Sequence, residues 1–432
     1  MDSSIPKEYP MLFKRAFIFL TFVYFLTAGI TWVAGEAGDG AEGRVTMADI
    51  VALALIGIFV ISKVFRNKNP LRLPQEFVSY LPLLVVFGFG VAFAVYPLRG
   101  LLELLIHVFI FLVAIALYNM YVQMPREEAA KILLKMVLYT GALLAVVGLV
   151  NFLMWPSLIP GELGGLRGTF RNTGQAGSFF GMYLAIVLPA FFTGQIRRSL
   201  LNAGALTLIA VALLFTFKRA ASAGALVGIL LLALSMGLSS SKRDKRFGIS
   251  VLAFFILATP VGYLLFQWAL SNVHGMDYWF HHKFNNEAVE NFSSGFLEDN
   301  ISAATRAFEM NPLIGVGLAN VIGVVTAKYE IHSTYLAIIG VSGLLGVLGY
   351  LFFMAIFVLR IISGMDRNPY GLYLRYFFPM LVGLAISWGY TYHLRKREFW
   401  IMFFIVVLMR SFSVTERREL KMGAIDSGNP DA

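Results

Sequence analysis

The chain of 432 residues contains no cysteine, and only 14% of its residues are charged. The missing thiols exclude disulfides, thiolate catalysis and thiolate metal sites. Soluble domains carry about 25% charged residues. This shortage of charge comes with 58% hydrophobic residues and a mean hydropathy of +0.74, which exclude a soluble globular enzyme and a disordered chain. The composition is that of a polytopic membrane protein.

Long apolar runs recur along the whole sequence. A bilayer span needs about 20 mostly apolar residues, and hydrocarbon forces such runs into helices because their backbone groups must pair internally. The N-terminal segment shows no small-residue cleavage site, so we expect the first span to be retained. The sequence predicts an all-α protein with about twelve transmembrane helices, at 16–35, 47–65, 77–96, 99–120, 133–155, 176–193, 200–217, 220–238, 248–270, 333–360, 374–393 and 398–410.

The distribution of Lys and Arg predicts the orientation of these spans. With the N-terminus in the cytoplasm, 23 of the 35 cationic residues fall in cytoplasmic segments, as the positive-inside rule requires. Both termini are therefore predicted to be cytoplasmic. The resulting organisation is nine spans over 1–270, one long outer loop at 271–332, three spans over 333–410 and a tail at 411–432.

The cations that fall on the outer side are the sharpest candidates for function. Lys218 and Arg219 stand where one apolar run meets the next. Charges near the membrane core usually face a cavity or a partner, although a turn at the headgroups with snorkelling side chains explains them equally well. An inward guanidinium at Arg219 suits bidentate phosphate binding. Further outer cations are Arg167, Arg171, Arg306, Arg395, Lys396 and Arg397.

Arg306 lies on a predicted amphipathic loop helix near 296–310, followed by the segment NPLIGVG. A surface pair with Glu309 is the alternative role for this arginine. The glycines of the GVG segment permit a tight turn and a close backbone approach. The GVG segment continues as GVGLAN and not as G-x-G-x-x-G, and no strand precedes it, so a dinucleotide site is not indicated there.

His332 precedes the tenth span, where an imidazole can accept a proton near neutral pH; a purely interfacial role is the alternative. The loop histidines His274, His281 and His282 match no zinc spacing, so no metal is predicted. Glu103 and His107 share one helix face and are interpreted as a buried polar pair. The basic residues follow topology and form no aromatic-interleaved patch, so no nucleic-acid partner is indicated.

Four segments, in order, resemble the O-antigen ligase and polymerase family of bacterial envelope glycan enzymes. They are LRGTFRNTGQAGSFFGMYLAIVLP, TFKRAASAGALVGILLLAL, ATRAFEMNPLIGVGLAN and IHSTYLAIIGVSGLLGVLGYL, within about 165–355. The chain departs from the family pattern by placing Lys218 where Ser is frequent, Ala220 where Gly is frequent, and Gly174 and Ser333 where Asn is frequent. The loop helix also lacks the Trp that many members carry.

This resemblance implies a glycosyltransferase of the GT-C type in the bacterial inner membrane, with its active site facing the periplasm. The donor implied is an undecaprenyl diphosphate-linked glycan, and the transfer is implied to be inverting and independent of metal or other cofactors. By position, Arg219 and Arg306 would clamp the diphosphate and His332 would be the general base. Residues expected to steer the anionic donor are Arg167, Arg171, Lys218, Arg395 and Arg397.

The acceptor separates the enzyme hypotheses. A lipid A-core hydroxyl would make the protein an O-antigen ligase, which we favour slightly. A second lipid-linked repeat unit would make it a polymerase of O-antigen or exopolysaccharide, and a protein acceptor is a third variant. The alternative of another class is a twelve-span transporter of an anionic solute. It would place charges and broken helices near mid-bilayer, commonly in paired repeats.

Overall fold

The computed structural model describes residues 11–31, 46–65, 70–154, 165–239, 241–272, 286–325 and 330–426. Every regular element in these ranges is a helix. In chain order the helices are α1 Met11–Thr27, α2 Met47–Phe65, α3 Gln75–Val78, α4 Leu81–Ala92, α5 Pro97–Tyr121, α6 Arg126–Leu153, α7 Thr173–Thr193, α8 Leu200–Phe215, α9 Arg219–Gly237, α10 Lys242–Asn272, α11 Asn286–Met310, α12 Val321–Val324, α13 Thr334–Ser363, α14 Pro369–Trp388 and α15 Arg397–Asp426.

All twelve predicted spans fall on these helices, and the prediction of a polytopic α-helical membrane protein is confirmed. Within the described ranges, nine helical segments are long and apolar enough to cross a bilayer, with α3 and α4 counted as one. The other three predicted spans fall on α1, with 17 residues, α8, with 16, and α10. The count of twelve and the cytoplasmic position of the termini stay predictions.

Two helices form the centre of the bundle. In α7 every side chain from 176 to 190 is buried, and in α15 every side chain from 398 to 409 is buried. A helix that is apolar on all sides suits such a core or a membrane span. Both helices begin at the same end of the bundle, and this shared end positions the candidate site.

The two ends of the bundle can be named by their charged residues. The His332 end contains Asn172, Lys218, His332 and Lys396. The Arg126 end contains Lys14, Arg126, Glu128 and Glu419. Helix α15 begins at the His332 end and, 22 residues later, pairs Glu419 with Arg126. At 1.5 Å per residue the two ends are therefore about 33 Å apart.

Glycines set the closest helix contact, between α9 and α14. A Cβ added to Gly224 would lie 2.4 Å from the carbonyl oxygen of Gly383, so neither position has room for a side chain. Small residues at a helix interface let backbones approach closely in membranes. This contact fixes the start of α9, which carries Lys218 and Arg219, relative to the loop after α14.

The predicted tenth span, 333–360, is not one regular helix. Gly343, the tenth residue of α13, has φ 57° and ψ −157°, which breaks the helix about 15 Å from its start. The break leaves backbone groups without helical partners, and the segment 311–320 pairs with them. Gly317 N donates to Val341 O at 3.0 Å, and Leu344 N donates to Pro312 O at 2.8 Å.

The same pairing explains the GVG sequence. Gly315 and Gly317 have φ of 66° and 87°, and a Cβ on Gly315 would lie 2.4 Å from the carbonyl carbon of Val341. The close approach that these glycines permit is therefore to the broken helix and to α4, not to a ligand. The predicted loop helix near 296–310 is real but begins earlier, as α11 from Asn286.

Candidate functional site

Three helices begin close together at the His332 end, and none of them has an acidic residue in its first turn: α7, α9 and α13. The Asn172 side chain accepts from Gln175 N at 2.8 Å, and the Ser333 side chain accepts from Leu336 N at 3.4 Å. These side-chain caps fix where α7 and α13 begin. Helix N-termini carry partial positive charge, so this end favours an anion even before its cations are counted.

The turn between α8 and α9 places Lys218 against α7. Phe217 adopts a left-handed φ of 51°, and Lys218 N donates to the Thr216 hydroxyl at 3.3 Å. A Cβ on Gly177 would lie 3.0 Å from Lys218 Cβ, and a Cβ on Gly174 would lie 3.6 Å from Lys218 Cε. A side chain at position 174 would therefore lie against the side chain of Lys218.

His332 lies at the start of α13, next to Lys218 and Lys396. Its backbone N–H donates to Asn300 Oδ1 at 2.8 Å, which joins α11 to this end. Partial removal from water, and then the positive charges of Lys396 and Lys218, lower the pKa of His332. The lowered pKa favours the neutral imidazole, which is the form that can accept a proton. Its side chain keeps an exposed face on which a substrate could lie.

Lys396 is brought to His332 by a buried hydrogen-bond network behind the site. Thr334 Oγ1 lies 2.8 Å from His393 Nδ1 and donates to Thr391 O at 2.6 Å. His393 is fully buried and stacks on Trp388 with 3.9 Å between ring centroids. Lys396 N then donates to His393 O at 2.9 Å. The network ties the loop 389–396 to the start of α13.

The pKa of Lys396 is also affected by the charges near it. Burial lowers it, Glu398 at 4.0 Å opposes that shift, and the charge of Lys218 lowers it further. Lys218 and Lys396 therefore repel each other near the imidazole of His332, and we call these three residues the cation cluster. Holding like charges together costs free energy that a bound anion would recover.

Arg395 and Arg397, which the sequence predicts to steer the donor, lie in ion pairs within the protein. Arg395 Nε lies 3.0 Å from Glu103 Oε1, and Arg397 Nη2 lies 2.5 Å from Asp49 Oδ1. Both charges are taken up by ion pairs within the protein. Lys396, which the prediction left out of the binding set, is the residue of this run that lies beside His332.

Arg167 and Arg171 belong to the loop that leads into α7. Arg167 is half-buried and donates from Nε to Phe170 O at 2.8 Å, which stabilises the turn. Arg171 is exposed, and its backbone N–H donates to the Thr31 hydroxyl at 2.9 Å. The Thr31 hydroxyl in turn donates to Gln175 Oε1 at 2.7 Å, so the loop is fastened to the end of α1.

Arg219 lies next to the cation cluster in the chain, whereas Arg306 lies on a different helix. Arg219 is half-exposed, follows Lys218 directly and forms no ion pair within the part of the chain that the structure describes. Arg306 is exposed on α11, which packs on α13 through the buried Ala303, Ala304 and Ala307. No contact in the described ranges brings Arg306 to the cation cluster, and none pairs it with Glu309.

The remaining titratable candidates are structural or lie elsewhere. Glu103 and His107 are both buried, 4.0 Å apart, and His107 Nδ1 lies 3.1 Å from the Tyr80 hydroxyl, which confirms the predicted buried polar pair. Among the described residues no group of three His, Asp or Glu side chains could hold a metal. His274, His281 and His282 lie outside the described residues.

Comparison with known proteins does not place the chain in a family. No protein-family model matches it, and no curated protein matches it significantly.

Proposed function

We propose that the protein is a membrane glycosyltransferase that moves a glycan from a polyprenyl diphosphate to an acceptor hydroxyl at the His332 end. The observation that carries this proposal is the cation cluster: a neutral, exposed imidazole held beside two lysines at three helix starts. A diphosphate is the kind of leaving group that such an arrangement stabilises. The imidazole is the kind of base that a hydroxyl acceptor needs.

The proposed reaction is a single displacement at the anomeric carbon. His332 takes the proton of the acceptor hydroxyl, whose oxygen forms the new bond to the anomeric carbon. The bond from that carbon to the diphosphate oxygen breaks, and the electron pair leaves with the polyprenyl diphosphate. Attack from the opposite face inverts the configuration.

Negative charge develops on the diphosphate as the bond breaks. Lys218, Arg219 and Lys396 are the cations placed to stabilise that charge, a role that a metal ion fills in other enzymes. Arg306 is kept as a candidate only by its match to the family segment. Arg395 and Arg397 take the lesser role of positioning the loop that carries Lys396.

Among acceptors we favour a lipid A-core hydroxyl, which makes the protein an O-antigen ligase in the bacterial inner membrane with its His332 end in the periplasm. A second lipid-linked repeat unit, which makes it a polymerase, is the nearest rival. The resemblance in sequence supports both, and the described geometry favours neither.

The break in α13 is the one observation that favours a transporter, since transporters build substrate sites from discontinuous helices. In this chain the freed backbone groups are already paired. Val341 O accepts from Gly317, and Leu345 N donates to Leu313 O at 3.1 Å. A break filled by the protein's own backbone offers no coordination site, so we prefer the enzyme.

A reconstituted transfer assay tests this proposal. Purified protein with EDTA receives a polyprenyl diphosphate-linked oligosaccharide and either lipid A-core or a second lipid-linked repeat. Glycosylated lipid A-core would establish a ligase, and laddered lipid-linked products would establish a polymerase. Transport of the donor into protein-containing vesicles without any transfer product would overturn the proposal.

A further inference from the structure

A cavity of about 660 Å³ opens at the Arg126 end, far from the candidate site. It lies between the segment before α3, the turn joining α5 to α6, and the last part of α15. Its lining includes Arg72, Tyr118, Arg126, Arg410, Ser411 and Arg418.

The lining contains four arginines and no carboxylate. Two of the arginines are paired with acids outside the lining: Arg126 with Glu419, and Arg410 Nε with Glu76 Oε1 at 3.6 Å. The other two, Arg72 and Arg418, are exposed and form no ion pair within the described ranges. The cavity therefore keeps a surplus of about two positive charges.

The wall of the cavity is held in place by hydrogen bonds. Asn119 accepts from Arg72 N at 2.8 Å and donates to Arg72 O at 2.9 Å, which fixes the segment before α3 on α5. The Tyr118 hydroxyl lies 2.9 Å from Ser411 Oγ, which links α5 to α15. The backbone segments that carry the arginines are thus held together, and the residues Tyr118 and Ser411 also line the cavity.

The position of the cavity along α15 corresponds to the headgroup layer of a bilayer. Thr415 lies 18 residues after Arg397, so it is about 27 Å along α15 from the His332 end. The hydrocarbon core of a bilayer is about 30 Å thick. The cavity therefore lies where the phosphates of the leaflet at the Arg126 end would be.

We propose that this cavity binds a phosphate group, and specifically the phosphate of an anionic phospholipid in that leaflet. Arginine binds phosphate oxygens in bidentate geometry, and basic pockets between transmembrane helices recognise anionic headgroups. A soluble phosphate would use the same contacts, so the experiment separates the two sources. This binding is independent of the proposed transfer reaction, which takes place at the other end.

The test measures lipid bound to the purified full-length protein by native mass spectrometry. Phosphatidylglycerol and phosphatidylcholine with the same acyl chains are titrated separately, and inorganic phosphate is used as a competitor. The variant is Arg72→Gln with Arg418→Gln. Its matched control is Lys131→Gln with Arg367→Gln, which removes two exposed cations from the same end outside the cavity.

We expect the native protein and the control to prefer phosphatidylglycerol, and the cavity variant to bind it about ten- to thirtyfold more weakly. Phosphatidylcholine binding should be unchanged by either pair of substitutions. Equal loss in the control, or no loss in the cavity variant, would overturn the proposal. Displacement of the lipid by millimolar inorganic phosphate would overturn the lipid as the source and identify a soluble phosphate ligand.

If the double variant does not fold, Arg72→Lys with Arg418→Lys answers the same question. Lysine keeps both charges but cannot form the bidentate contact. A preference for phosphatidylglycerol that falls by severalfold in this variant supports guanidinium recognition. An unchanged preference would contradict it.

Discussion

Two groups of cations at opposite ends of the bundle differ in their surroundings. At the Arg126 end, Lys14 and Arg126 have acidic partners: Lys14 Nζ lies 2.7 Å from Glu128 Oε2, and Arg126 pairs with Glu419. At the His332 end, Lys218 and Lys396 are near each other and near His332, and their charges lower the pKa of that histidine. A bound anion would offset the repulsion between these two lysines, which fits the diphosphate site that we propose at this end.

The starts of α6 and α9 differ in a similar way. Helix α6 begins at the Arg126 end with Glu127 and Glu128 in its first turn, which complements the positive end of its dipole. Helix α9 begins at the His332 end with Arg219, where a cation is unfavourable. The start of α9 therefore carries an electrostatic cost at the place where we propose that the diphosphate binds.

The largest difference between the ends should come from His332→Gln. Without the imidazole base, we expect transfer to fall by about 10²–10⁴-fold, with binding of the donor retained. The assay is the reconstituted transfer with EDTA. Because the side chain is exposed, the unfolding temperature should not change. A variant that folds and transfers at the native rate would remove His332 from the mechanism.

The Lys218→Met variant tests the role of the His332 end through the pH dependence of the transfer activity. We expect kcat/KM to fall by about 10²-fold, since one donor to the developing charge is lost. The neutral imidazole is the active form, so activity rises with pH as His332 loses its proton. Removing a neighbouring cation raises the pKa of His332, and the rising limb of the profile should move to higher pH.

The control for this variant is Lys131→Met, an exposed cation on α6 at the other end. Its rate and pH profile should match those of the native protein. A profile that stays in place in Lys218→Met would mean that the lysine does not act on His332.

Much of the fold was predictable because apolar runs fix helices in hydrocarbon, and Lys218 and Arg219 stood out as cations between two such runs. The partners of 395–397 were not predictable. The three successive cations have different neighbours. Arg395 pairs with Glu103 and Arg397 pairs with Asp49, and both acids are hundreds of residues away in sequence. The break at Gly343 was also missed, since its pairing with 311–320 depends on a tertiary contact.

Gly343→Ala tests whether the fold depends on the break in α13. At φ 57° an added Cβ would be strained and would lie 2.6 Å from Pro312 O. We expect a loss of about 1–3 kcal/mol in the free energy of unfolding, seen as a lower unfolding temperature in detergent. Gly181→Ala is the control, because a Cβ there meets nothing within 4 Å. Equal stability of the two variants would contradict the expectation that the backbone conformation at position 343 requires glycine.

The smallest effect is expected from Arg126→Gln at the opposite end. The Arg126–Glu419 pair is largely exposed, and such pairs contribute about 0.2–1 kcal/mol. The unfolding temperature should fall slightly, and transfer should be unchanged. A large loss of transfer in this variant would mean that the two ends are coupled and that their division is wrong.

The most direct measurement of the central claim is binding of a polyprenyl diphosphate-linked oligosaccharide to three proteins: native, Lys218→Met with Lys396→Met, and Arg126→Gln. We predict that the double variant at the His332 end binds the donor at least about tenfold more weakly and with less dependence on salt. Arg126→Gln should bind like the native protein. Equal binding by all three would contradict the claim that the His332 end is the diphosphate site.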